Sequence, residues 1–257
     1  MSLENYVTDY NPIASVYHSF VNEKFEDEEM FFLEQLIRPN VSENAHFLDI
    51  GCATGRTVKK LNILGYQTTG IDVSEELLRI ASSNAPDSKF ILGDIRELEL
   101  QPIYDAILSN DMLGHIPNLE ELTKVFRKVY MAMRDNGIFA FTGPILKNEN
   151  WDKVQTMLND KNARNYTADI SDQYVYLERS YLYNQEEKIT EVKLTGFKLI
   201  NGVWQRSDTT VLVKHYLISE IKSALVNAGF IEINEYDSNN FGYKSKLIFT
   251  CRKPSVL

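Results

Sequence analysis

The chain has 257 residues, 44% of them hydrophobic and 25% charged, a mixture that folds around a packed core and excludes a disordered or low-complexity protein. Its formal net charge is −9 with no lysine- or arginine-rich run, which argues against nucleic acid as a partner, because phosphate neutralisation needs a basic surface. Cys52 and Cys251 are too far apart to suggest a disulfide framework or zinc cluster. No stretch reaches the roughly 18 consecutive apolar residues of a membrane span, and the first turns carry no apolar leader. The expected setting is therefore a reducing cytoplasm, with no membrane partner.

In chain order, His46 to Ile50 (HFLDI) is a short apolar run ending on Gly51-Cys52-Ala53-Thr54-Gly55. This spacing predicts a buried strand, a tight turn, then a helix to about Leu64. Gln67 to Asp72 is a second strand, and Ser74 a helix N-cap with Glu75 and Glu76 in the favourable first turn. Lys89 to Gly93 and Tyr104 to Ser109 read as the third and fourth strands. Leu122, Val125, Phe126, Val129 and Met133 form one apolar helical stripe, predicting a helix that ends near Gly137 before a fifth strand, Ile138 to Thr142. Strands alternating with helices imply parallel pairing through right-handed crossovers.

The pattern changes after Pro144. A helix is expected near residues 151–159, and Tyr174 to Val213 reads as an antiparallel meander with turns at Asn184-Gln185-Glu186 and Asn201-Gly202. A helix from about Ser219 to Ala228 stops at Gly229. Phe230 to Tyr236 and Leu247 to Cys251 follow, joined through a loop at Ser238-Asn239-Asn240 and expected to pair antiparallel. The fold class expected is α/β: a Rossmann-like, doubly wound, mostly parallel seven-stranded sheet with an antiparallel last strand and an inserted meander. In domain terms, residues 1–40 form an N-terminal helical segment, 41–146 with 215–257 the core, and 147–214 an inserted subdomain.

Ligands of open parallel sheets bind beyond the carboxyl ends of the strands. Asp49, Asp72, Asp94 and the Ser109-Asn110-Asp111 loop all sit at such ends. Asp72 follows the glycine turn at about the ~20-residue distance at which a carboxylate meets ribose hydroxyls. A dinucleotide fingerprint would place glycine at 51, 53 and 56, where the pyrophosphate presses on the helix start. The chain has Gly51, Ala53 and Arg56, which counts against a nucleotide-dependent oxidoreductase. Clustered carboxylates suit a nucleoside that carries a sulfonium cation instead.

Four motifs carry a resemblance. Phe47-Leu48-Asp49-Ile50-Gly51-Cys52-Ala53-Thr54-Gly55-Arg56, Gly70-Ile71-Asp72-Val73-Ser74, Gly93-Asp94-Ile95 and Tyr104-Asp105-Ala106-Ile107-Leu108-Ser109 are similar, in order and spacing, to those of the class I S-adenosylmethionine-dependent methyltransferases. The resemblance implies S-adenosylmethionine as cofactor and S-adenosylhomocysteine as product. It implies that Gly51 and Gly55 line the methionine portion, Asp49 organises the turn, Asp72 binds the ribose, Asp94 the adenine amino group, and Ile95 packs on the ring. Cys52, Ala53, Arg56, Val73, Leu77, Gly93, Ser109, Asn110 and Asp111 complete the implied cofactor set, with Ala53 standing where the family usually has glycine.

Tyr10-Asn11-Pro12-Ile13-Ala14-Ser15-Val16-Tyr17 resembles the N-terminal helix that folds over the cofactor in small-molecule members, and implies Tyr17 and Tyr10 as partners of the methionine carboxylate. The meander resembles the cap of amino-sugar and small-amine N-methyltransferases. Tyr174, Tyr176, Tyr181 and Tyr183 are its candidate pocket residues, with Tyr166 in the same aromatic region; alternation pairs 174 with 176 and 181 with 183. His115, just beyond strand four, is the candidate catalytic base or positioning group. His18, His46 and His215 are expected to be structural, and Cys52 to pack the turn. No metal site is expected. The predicted reaction is in-line methyl transfer to nitrogen or oxygen of a small molecule; a non-catalytic nucleoside-binding module is the alternative. The sequence leaves the oligomeric state open, a homodimer being one assembly it allows.

Overall fold

A computed structural model describes residues 8–24, 33–146, 152, 156, 166–237 and 247–255. The helix expected at 151–159 and the loop at 238–240 lie outside the described residues, apart from positions 152 and 156.

Seven strands form the central sheet: β1 (His46–Ile50), β2 (Gln67–Asp72), β3 (Lys89–Leu92), β4 (Tyr104–Ser109), β5 (Met133–Thr142), β12 (Ile231–Asp237) and β13 (Leu247–Arg252). Their order is β12-β13-β5-β4-β1-β2-β3. Pairings among β1 to β5 are parallel, while β13 runs antiparallel to both β5 and β12. The chain moves outward from β1 to β3, then returns to place β4 on the other side of β1. That reversal opens a crevice at the carboxyl ends of β1 and β4.

Both faces of the sheet are covered, as parallel pairing requires. Along β5, Phe139 and Phe141 point into one core with Phe126 and Val129 of α4 (Leu119–Ala132) and Ile221 and Leu225 of α5 (Ile218–Ala228). Ile138 and Ala140 point the opposite way, onto Leu33, Ile37 and Leu61, the last from α2 (Arg56–Ile63). Ser74 caps α3 (Glu75–Asn84) by accepting the Leu77 N–H at 3.2 Å, and Gly229 ends α5 at φ 101°.

One boundary differs from expectation. The fourth helix stops at Ala132 and β5 begins at Met133, four residues before Gly137. Met133 fits the apolar stripe, but it pairs opposite Tyr104, and Arg134 reaches Asp105 on β4 at 3.0 Å. Sheet pairing thus outweighs helical continuation.

After β5 a two-stranded parallel neck, β6 (Ile145–Leu146) with β11 (Tyr216–Leu217), brackets the excursion. Between them lies a four-stranded antiparallel sheet, β10-β9-β8-β7, of Tyr166–Ile170 (β7), Tyr174–Asn184 (β8), Ile189–Ile200 (β9) and Val203–Lys214 (β10). The strand β7 is additional to the three expected. Asn201 and Gly202, both at positive φ, make the two-residue β9–β10 turn. Ile13, Val16 and Phe20, the last two from α1 (Ala14–Lys24), pack on Tyr174, Tyr176, Val192 and Leu194 of this sheet, with Phe20 stacked 4.1 Å from Tyr176. No helix among the described residues is long and apolar enough to cross a membrane.

Candidate active site

Gly51 turns the chain after β1 at φ 74°, and its N–H, like that of Cys52, donates to the Ile71 carbonyl, at 2.8 and 3.0 Å. A Cβ at Gly51 would come within 2.7 Å of Met112. Ala53 adopts φ 46°, the left-handed conformation that glycine usually supplies. Its N–H donates to Asp72 Oδ2 at 2.9 Å, and the Ser74 N–H donates to Oδ1 at 2.9 Å. Both Asp72 oxygens are therefore held by backbone, and each retains a lone pair. Burial raises the Asp72 pKa, and these hydrogen bonds oppose that shift.

A cavity of about 570 Å³ opens over these strand ends. It collects Gly51, Ala53, Asp72, Val73, Leu77, Gly93, Asp94, Ile95, Asn110, Asp111 and His115 from the core, Tyr10 and Tyr17 from the N-terminal segment, and Tyr176 from the antiparallel sheet. Asp94 is engaged by its neighbour: Arg96 donates to Oδ2 from two side-chain nitrogens at 2.6 and 2.9 Å and to Oδ1 from its backbone at 2.8 Å.

The remaining expected site residues lie elsewhere. Asp49 is 3% exposed, within β1 below the turn. The Cys52 side chain packs with Val58, Leu78, Ala85 and Phe90, and burial pushes its thiol pKa up. Gly55, at φ 72°, faces Ala81, where a Cβ would meet that residue at 2.9 Å; it serves the approach of α2 to α3. Arg56 begins α2, and Ser109 is fully buried at the end of β4. None of these five lines the cavity.

Parity divides the tyrosines. Tyr174 and Tyr176 share the inner face of β8, but Tyr174 is buried short of the cavity and donates to Asp169 at 2.6 Å. Tyr181 and Tyr183 have the opposite parity. Tyr181 lies beside Arg179 and Lys193, while Tyr183 is 52% exposed. The side chain of Tyr166 lies outside the described residues.

His115 Nδ1 is 3.1 Å from Thr8 Oγ1 and 3.4 Å from the Leu212 carbonyl, and Nε2 is 3.4 Å from the Tyr10 hydroxyl. A carbonyl can only accept, so this arrangement favours the proton on Nδ1 and leaves the Nε2 lone pair toward Tyr10. Burial lowers the His115 pKa, against the Leu212 hydrogen bond and Asp111, so the ring is neutral at pH 7. Burial, with Tyr17 and Glu178 next, raises the Tyr10 pKa well above its usual value.

Thr8, Glu178, Val192, Leu194, Val211, Val213 and His215 also line the cavity. Only tertiary packing brings them there. Alternation in β8 offered a partial signal, since Glu178 shares parity with Tyr176.

The sheet order and the crevice at its strand ends define a doubly wound α/β architecture with a ligand-sized cavity over the β1 and β4 termini. Residues 48–141 match the family model described as a methyltransferase domain. The chain is 24% identical to the putative methyltransferase YqeM of Bacillus subtilis, over 96% of this chain and 98% of that protein. It superimposes with a TM-score of 0.75 on an S-adenosylmethionine-dependent methyltransferase from Clostridium acetobutylicum, at 17% identity over 96% and 99% of the two chains. The amino pentose methyltransferase CalS10 of Micromonospora echinaspora gives 0.69, at 14% identity over 93% and 96%. Residues 48–141 carry a methyltransferase domain, and the chain has the fold of the S-adenosylmethionine-dependent methyltransferases it superimposes on.

Proposed function

We propose that the protein transfers the methyl group of S-adenosylmethionine to a nitrogen or oxygen atom of a small molecule held between the strand-end crevice and the antiparallel sheet. The carrying observation is that one cavity joins Gly51, Asp72 and Asp94 to Val192 and Val211. Its ~570 Å³ falls in the usual range for small-ligand sites. In this reading residues 147–214 are the cap, and residues 1–40 close over the cofactor. CalS10, by its description an amino pentose methyltransferase, supports the reading of a small acceptor, and nitrogen is proposed ahead of oxygen.

The residues present suit the cofactor. Asp72 offers two lone pairs for the ribose hydroxyls, Ile95 an apolar surface for the adenine, and Asp94 an acceptor beside it; Tyr10 and Tyr17 are assigned to the methionine end. Bound there, the cofactor supplies a methyl group already activated on a sulfonium sulfur, and no covalent protein intermediate is needed. The protein's work is alignment and exclusion of water. His115 Nε2, directly or through the Tyr10 hydroxyl, accepts the proton an amine or alcohol must release.

The test combines His115→Gln with methyl-labelled cofactor and a panel of small amines and alcohols. General-base assistance is worth about 10²–10⁴-fold, so kcat is expected to fall by about 100-fold or more while S-adenosylhomocysteine affinity is unchanged. A kcat that equals the parent's at every pH would remove the base role.

A further inference from the structure

The roof of the cavity is the inner face of the antiparallel sheet: Tyr176 and Glu178 on β8, Val192 and Leu194 on β9, Val211 and Val213 on β10. Glu178 is the one formally charged residue that these strands contribute to the lining. A carboxylate part-buried among valine and leucine loses hydration and calls for donors or a cation in return. The Tyr176 hydroxyl supplies one donor, at 2.8 Å to Oε2. Among the described residues no lysine or arginine forms an ion pair with Glu178.

The rest of the lining has the same sign. Among the described residues of the lining, Asp72, Asp94 and Asp111 stand with Glu178 against one guanidinium, Arg96, which is committed to Asp94 at 2.6 Å. An acceptor bearing a carboxylate would enter against this potential and find no uncommitted guanidinium among the described residues of the lining. An amine would enter with it. Tyr10, Tyr17 and Tyr176 lie in a chain with ring centroids 5.7 and 6.4 Å apart, adding aromatic surface that a cation favours.

We infer that Glu178 is the specificity-determining residue of the acceptor site, and that the acceptor is a basic primary or secondary amine. The inference rests on the methyl-transfer reading above. The amine releases one proton, to His115, before attack; a remaining N–H donates to the Glu178 carboxylate and aims the nitrogen lone pair. The new N–C bond forms from that lone pair as the C–S bond breaks with its electrons left on sulfur. The positive charge then resides on the methylated nitrogen, beside Glu178. Transfer to a carboxylate would instead cancel charge and leave Glu178 without a counterpart.

The test incubates the full chain with methyl-labelled S-adenosylmethionine and a bacterial small-molecule extract, then separates products by ion exchange. Label is expected in a product retained as a cation. With that fraction as substrate, Glu178→Gln is expected to raise the acceptor KM at least tenfold, Glu178→Asp to recover part of the loss, and both to keep the parent's S-adenosylhomocysteine affinity by calorimetry. Label in a neutral or anionic product, or an acceptor KM unmoved in Glu178→Gln, overturns the inference and leaves methyl transfer standing. Label in no product overturns the transferase reading on which it rests.

Discussion

The Asn11 side-chain oxygen accepts the Ser74 hydroxyl proton at 2.7 Å across 63 positions of sequence, and the Glu76 N–H at 3.1 Å. Ser74 in turn caps α3 two residues after Asp72, so the N-terminal segment is fastened to the element that sets the crevice floor. The same segment is tied to the roof, where Thr209 donates to the Asp9 carbonyl at 2.7 Å. The N-terminal segment thereby bridges the antiparallel sheet and the Asp72 turn.

This bridge predicts the behaviour of Asn11→Ala. Losing one hydroxyl partner and one cap contact costs about 1–2 kcal/mol, which corresponds to roughly 5–30-fold in affinity if all of it acts on the closed state. Calorimetry with S-adenosylhomocysteine should show weakening in that range. Asn11→Asp keeps the acceptor and places a negative charge at a helix N-terminus, so it should retain most of the affinity.

Ala53 offers the opposite experiment. A side chain in the left-handed region costs about 1–2 kcal/mol, and glycine returns about 0.4–1 kcal/mol of that as unfolded-chain entropy. Ala53→Gly is therefore expected to stabilise by about 0.5–1 kcal/mol, raising Tm by roughly 1–4 °C, with the Ala53 N–H bond to Asp72 retained. Differential scanning calorimetry checks this; a lower Tm would show that the alanine methyl contributes packing that outweighs the backbone strain.

His215 predicts a pH dependence. Burial first, then Lys214, lowers its pKa to about 4 in the folded chain, against about 6.5 when unfolded. The unfolded state therefore binds the extra proton first as pH falls. The stability due to the neutral ring is complete above pH 6.5 and is lost as pH falls toward 4, a contribution of order 3 kcal/mol. In His215→Gln, which keeps a partner for Thr190 Oγ1 at its present 3.1 Å contact, Tm should fall less steeply between pH 7 and 4 than in the parent. Parallel curves would contradict the assignment.

Much of the core was legible because its signals are local. The apolar run ending at Asp49, the glycine turn, the acid closing β2 and the cap at Ser74 each follow from backbone chemistry within a few residues, and β1, β2 and β4 begin and end where expected. Parallel pairing and a doubly wound sheet followed from alternating elements and crossover handedness, while the strand order itself came only from the structure. Contacts distant in sequence were not legible. Met133 satisfies a helical stripe, and only its pairing with Tyr104 makes it strand. Gly55 reads as a ligand glycine until α3 is seen to bring Ala81 against it. In the roof, alternation paired the tyrosines correctly but could not say which parity faces inward, so Tyr181 and Tyr183 were grouped with Tyr176. Glu178 carries no sequence signal beyond the parity it shares with Tyr176, and Thr8 has no local signal at all.

The claim that Asp72 anchors the cofactor in the crevice is tested most directly by titrating S-adenosylhomocysteine into the parent and Asp72→Asn proteins, with thermal melts establishing that both are folded. Hydrogen bonds to a charged group are worth about 1.5–3 kcal/mol, so one-to-one binding should weaken by about 10–150-fold in Asp72→Asn. Equal affinity in the two folded proteins would contradict the account.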